Sequence, residues 1–130
     1  MGLRCVLLAV VAAGCSSSTA PVFGYAWDDR RLLCSAGIDD YLGEPSWSEL
    51  GERFDEAAAH DWVTFMHAHE PSATITLDTL DRVLDMAAER SLESITFRDL
   101  EDGRPRGAIA LAFDDNKPLF WLLARDLLTA

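Results

Sequence analysis

The residues best suited to chemistry in this chain are two adjacent carboxylates, Asp114 and Asp115, which end the apolar run Ala108-Ile-Ala-Leu-Ala-Phe113. Neighbouring acidic groups repel each other, so a cation or a shared proton belongs near them. A short run of small and branched apolar residues reads as a buried parallel strand. Such a strand would carry both carboxylates to its C-terminal end, where α/β folds bind ligands. Taken alone, Asp114, Asp115 and Asn116 read equally well as an N-cap cluster on the next helix, which acidic and short polar residues favour.

The three histidines, His60, His67 and His69, all precede this pair. His67 and His69 are two apart, so on a strand they share a side. His69 reads as a surface loop residue. His60 reads as a helix C-terminal residue, placed favourably on the dipole.

The elements that must position these groups follow from patterning. Residues 20–45 hold Pro21, Gly24, Gly37, Gly43 and Pro45 and read as irregular, with Tyr25, Trp27 and Tyr41 covering one end of the domain. Ser46-Trp-Ser-Glu49 is a capping-box pattern. It opens a helix to about Ala59, with Leu50, Phe54, Ala57 and Ala58 on one face. Residues 61–67 read as a strand. Thr76 caps a second helix carrying Leu77, Leu80, Val83, Leu84, Ala87 and Ala88 at helical spacing. Residues 92–97 alternate like a strand and lead into a short turn or helix. A loop over 101–107 precedes the Ala108–Phe113 strand. A last helix starts near Lys117, with Pro118 in its first turn and Phe120 and Trp121 as core residues. Strands separated by helical patterns predict an α/β fold of βαβ units with right-handed crossovers.

The chain has 130 residues and a net charge of −11. Met1-Gly-Leu-Arg4, the apolar run over 5–13 and the small residues after it have the layout of a signal peptide. The apolar run is too short to span a bilayer. Ala12-Ala-Gly-Cys15 resembles a bacterial lipobox, although Ala12 stands where Leu is usual. That resemblance implies cleavage after residue 14, lipid on Cys15, and membrane anchoring in the bacterial cell envelope. The Ser/Thr-rich stretch after it would be a tether. The other reading is a plain signal peptide cut near Ala20, giving a secreted or periplasmic protein. The mature part loses only one basic residue, Arg4, and is therefore still more acidic, which argues against nucleic acid as a partner. With Cys5 in the leader and Cys15 lipidated, Cys34 stands alone in the folded part. It reads as a buried small residue or one whose partner is missing.

Ala112-Phe-Asp-Asp-Asn116 is similar to the first motif of the NodB-type polysaccharide deacetylases, Thr-Phe-Asp-Asp-Gly. The preceding pieces resemble that family in order: Phe65-Met-His67, the helix from Leu77 to Leu84, Ile95-Thr-Phe-Arg-Asp-Leu100, and Gly103-Arg-Pro-Arg-Gly107. The resemblance spans roughly residues 60–130. It implies a partial (β/α) barrel, N-terminal strands and helices only, with 1–14 as signal peptide, 15–45 as anchored tether and irregular segment, and 46–130 as the front of the deacetylase domain. It implies Asp114 as general base, Asp115 as ligand of a divalent metal such as zinc, and His67 on the active-site face without being a standard ligand. The implied activity is hydrolysis of a carbon–nitrogen bond in an N-acetylated polysaccharide or peptidoglycan-like glycan. Asn116 replaces the family's Gly, and Asn is the next-best residue for a left-handed turn. The family's second metal motif, His-x-x-x-His, does not occur, so the site is incomplete. The chain stops at Ala130 inside an apolar helical pattern, which reads as the front of a longer protein, inactive as it stands. The alternative is a non-catalytic envelope lipoprotein that keeps a remnant of the fold. A haloacid-dehalogenase-like phosphatase would need Asp-x-Asp, whereas here the acids are adjacent.

Overall fold

A computed structural model describes residues 23–24, 34–41, 43–101, 107–114 and 117–129. Its centre is the strand β3 (Val63–Ala68), whose residues are nearly all buried. Burial on both faces is the mark of an inner strand of a parallel sheet. It pairs in parallel with β5 (Ala108–Phe113), from Val63 opposite Ala108 to Ala68 opposite Phe113. Beyond β5 lies β4 (Glu93–Ile95), also parallel. On the other side of β3, β2 (Ala36–Gly37) pairs in parallel at Met66 and His67. There β1 (Phe23–Gly24) pairs antiparallel at Val63 and Thr64. The fold is therefore α/β with four parallel strands in the order β2-β3-β5-β4. β5 is inserted between β3 and β4, so the strands are not added in chain order.

The irregular reading of residues 20–45 is corrected by β1 and β2. Each is only two residues long and gains its order from pairing with β3, which the local sequence does not announce. Tyr41 covers nothing, being 60% exposed. Tyr25 and Trp27 lie outside the described residues.

Two apolar layers follow from strand alternation. Met66, Ala68 and Ile109 face the helices α1 (Trp47–His60), α2 (Leu77–Ala88) and α4 (Pro118–Leu128), where Phe54, Leu80, Val83 and Ala124 join them. Val63, Phe65, Ala108 and Ala110 face the other way, against Ile95 and Leu100. Leu100 belongs to the short helix α3 (Phe97–Glu101), whose Phe97 stacks on Phe65 with ring centroids 5.9 Å apart.

The helix ends show which local signals are used. Thr76 caps α2 by accepting the backbone N–H of Thr79 at 3.1 Å. Ser46 is the N-cap of α1 but makes no side-chain cap bond, so the capping-box expectation there is not realised. Ala58 and Ala88, placed on apolar faces by spacing, are exposed. In α4 only Ala124 is buried. The core placement of Trp121 is corrected, since it is 45% exposed and meets Phe113 edge-on at 4.7 Å; Phe120 is half-buried. Among the described residues no helix is long and apolar enough to cross a membrane.

Candidate functional site

The C-terminal ends of β2, β3 and β5 lie side by side, and Asp39, His67, His69 and Asp114 lie at or just beyond them. Asp114 follows β5 and is exposed; its backbone N–H donates to the carbonyl of Ala68 at 2.9 Å. This bond continues the β3–β5 ladder by one step and sets Asp114 level with His69. The N-cap of α4 is Lys117, so Asp114 does not cap that helix. Asp115 and Cys15 lie outside the described residues.

His67 lies on β3 with the same strand parity as Phe65, so it belongs to the sheet face opposite the three long helices. Its Nδ1 is 2.9 Å from the Ser35 hydroxyl. Its ring also lies against Gly37, where an added Cβ would sit 3.5 Å from Cε1 and Nε2. His67 thus stands next to last in β3, beside β2.

Beside it, spacing alone did not reveal the best-formed constellation. Asp39 follows β2, and His69 follows β3. The ring Nδ1 of His69 is 2.6 Å from Asp39 Oδ2, and the backbone N–H of His69 donates to Oδ1 at 3.0 Å. The Thr74 hydroxyl donates to the same Oδ1 at 2.7 Å. Burial alone would raise the Asp39 carboxyl, but the bonds from His69 and Thr74 outweigh it and hold the group below its ordinary value. An ionised carboxylate only accepts, which puts the proton of the contact on His69 Nδ1. His69 lies in the bend after β3 with its side chain 40% exposed, where the sequence predicts a surface loop residue, and in addition it holds Asp39. The rings of His67 and His69 stand edge to face, 5.9 Å apart.

Asp40 next door accepts from the hydroxyl of Thr76 at 2.7 Å and from its backbone N–H at 3.0 Å. There too burial opposes and the threonine bonds prevail, lowering the carboxyl. Glu70 pairs with Lys117 across the same edge. His60 ends α1 as expected and pairs with Glu56 at 3.3 Å.

A cleft of about 420 Å³ opens at the ends of β4 and β5, lined among others by Thr96, Phe97, Ala112, Phe113 and Trp121. It runs up to the residue before Asp114.

The metal question rests on these groups. Among the described residues no set of three or more His, Cys, Asp or Glu side chains is arranged to hold a metal ion. The described strand ends offer carboxylates and imidazoles, and Asp115, the expected ligand, lies outside the described residues. Cys34, expected to stand alone, is disulfide-bonded, with its partner outside the described residues. A signal for Asp39 exists in the sequence: Ala36-Gly-Ile-Asp-Asp40 repeats, on a smaller scale, the pattern of Ala112-Phe-Asp-Asp115. Comparison with family models, with curated proteins and with solved structures finds no match for this chain.

Proposed function

We propose that this chain carries the front part of a carbohydrate deacylase site of the NodB type, one that hydrolyses the carbon–nitrogen bond of an N-acetylated glycan. The observation that carries the reading is the placement of Asp114. It stands exposed at the C-terminal end of an inner parallel strand, level with a neighbouring strand that ends in two histidines. In this reading Asp114 takes the proton of the attacking water. His67 lines the same face, and the cleft with Phe97 and Trp121 gives a sugar ring aromatic walls beside the carboxylate. The described strands would form part of a (β/α) barrel. A divalent metal, zinc as the first candidate, would polarise the acyl carbonyl when bound, with Asp115 as its ligand. Lipid on Cys15 would hold the protein at the bacterial envelope, within reach of peptidoglycan-like glycans.

Zinc titration by calorimetry on the longest reading frame tests the proposal. One-to-one zinc binding that Asp115→Ala abolishes, with acetate release that Asp114→Asn lowers by about 100-fold or more, is the expected result. A protein that binds no zinc and releases no acetate overturns it and leaves a non-catalytic envelope lipoprotein.

A further inference from the structure

We propose that His69 is a proton-transferring residue of the strand-end site and that Asp39 is the residue that positions it. The reaction assigned to it rests on the deacylase reading above, whereas the Asp39–His69 dyad stands on its own geometry.

The dyad is built from two strand ends, 30 residues apart in sequence. Oδ1 of Asp39 is held by the His69 backbone N–H and the Thr74 hydroxyl, and Oδ2 meets the imidazole. A carboxylate fixed at both oxygens fixes the ring it holds. Burial divides the pair by function: the Asp39 side chain is 12% exposed, the His69 side chain 40%. The charge is withdrawn and the ring reaches the surface. The other histidine–carboxylate contact, His60 with Glu56, is a different object: 3.3 Å, both partners about half exposed, one turn apart on a single helix. With Nδ1 committed to Asp39, Nε2 is the ring atom that exchanges a proton. Among the described residues, the titratable and charged groups at and beside these strand ends are Asp39, Asp40, His67, Glu70, Asp114 and Lys117. The adjacent Asp39 carboxylate favours the imidazolium.

Asp114 accepts a proton from water as the water oxygen bonds to the amide carbon. The His69 imidazolium gives its Nε2 proton to the amide nitrogen as the carbon–nitrogen bond breaks. The amine and the carboxylic acid leave. Transfer of the proton from Asp114 to His69 through solvent restores both groups, with one water consumed.

Two probes and one spectrum test this on the full chain. Nitrogen NMR of ¹⁵N-histidine-labelled protein should show neutral His69 as the Nδ1–H tautomer, with that preference lost in Asp39→Asn. On an N-acetylated chito-oligosaccharide, His69→Gln should lower kcat by about 100-fold with KM held within about two-fold. Asp39→Asn should lower kcat and move the alkaline limb of the pH profile to lower pH, which loss of packing alone would not do. The second probe is p-nitrophenyl acetate, an activated ester that an oriented imidazole turns over without a glycan site. His69-dependent turnover of the ester with no glycan hydrolysis overturns the deacylase reading and keeps the dyad. An Nε2–H tautomer, or no His69-dependent rate on either probe, overturns the proposal.

Discussion

Asp39 and Asp40 carry charges that the fold stabilises, and this has a measurable sign. Both carboxyls sit below their ordinary value of 3.8 in the folded chain. A depressed folded value adds stability that is fully present above the ordinary carboxyl range and is lost as pH falls through the folded values. Urea unfolding followed from about pH 5 down to about pH 3 should show falling stability, and Asp39→Asn should flatten part of that slope. An unchanged slope in the variant would mean that the contacts of Asp39 exist equally in the unfolded chain. The residue scale is also where the sequence is hardest to read. Asp114 is legible because an apolar run points at it. The Asp39–His69 contact joins residues whose neighbourhood depends on β2 pairing with β3, and the short pattern Ala36-Gly-Ile-Asp-Asp40 does not say which strand β2 pairs with.

The helices and strands divide along the same line. β5 is visible residue for residue because a continuous apolar run in a short space suits a strand buried on both faces. α2 is visible because Thr76 caps it and its apolar spacing is regular. The two N-caps make a paired test. Thr76→Ala removes the cap bond and the hydroxyl contact to Asp40 while keeping the backbone N–H contact, and should cost about 1 kcal/mol or more of unfolding free energy. Ser46→Ala removes a hydroxyl that makes no cap bond and should stay within about 0.5 kcal/mol. Gly107 offers a third measurement. A Cβ there would sit 3.1 Å from the carbonyl oxygen of Ala57 and 3.1 Å from Leu92 Cδ2. Gly107→Ala must push α1 from the start of β5, and should destabilise the fold by about 1–3 kcal/mol in chemical unfolding.

At the scale of the whole molecule, the described residues include an exposed apolar stripe on α4. Leu119 (62%), Leu122 (61%) and Leu123 (44%) are exposed on α4, away from the buried Ala124. A helix apolar on nearly all sides reads as a buried one, which is why the sequence predicts core where the structure has surface. Leu119→Lys with Leu122→Lys should leave unfolding within about 0.5 kcal/mol per site while reducing self-association at high concentration, as seen by sedimentation velocity. Cys34 bears on the whole molecule in another way. The only other cysteines are Cys5 and Cys15, and a sulfur atom forms a thioether or a disulfide, not both. Release of a leader ending at residue 14 would take Cys5 with it. Within this sequence, lipid on Cys15 therefore rules out a Cys15–Cys34 disulfide, and a Cys15–Cys34 disulfide rules out lipid on Cys15. Tethering and oxidation thus exclude each other at a single atom, and the mass of the unreduced protein tells which state the cell makes.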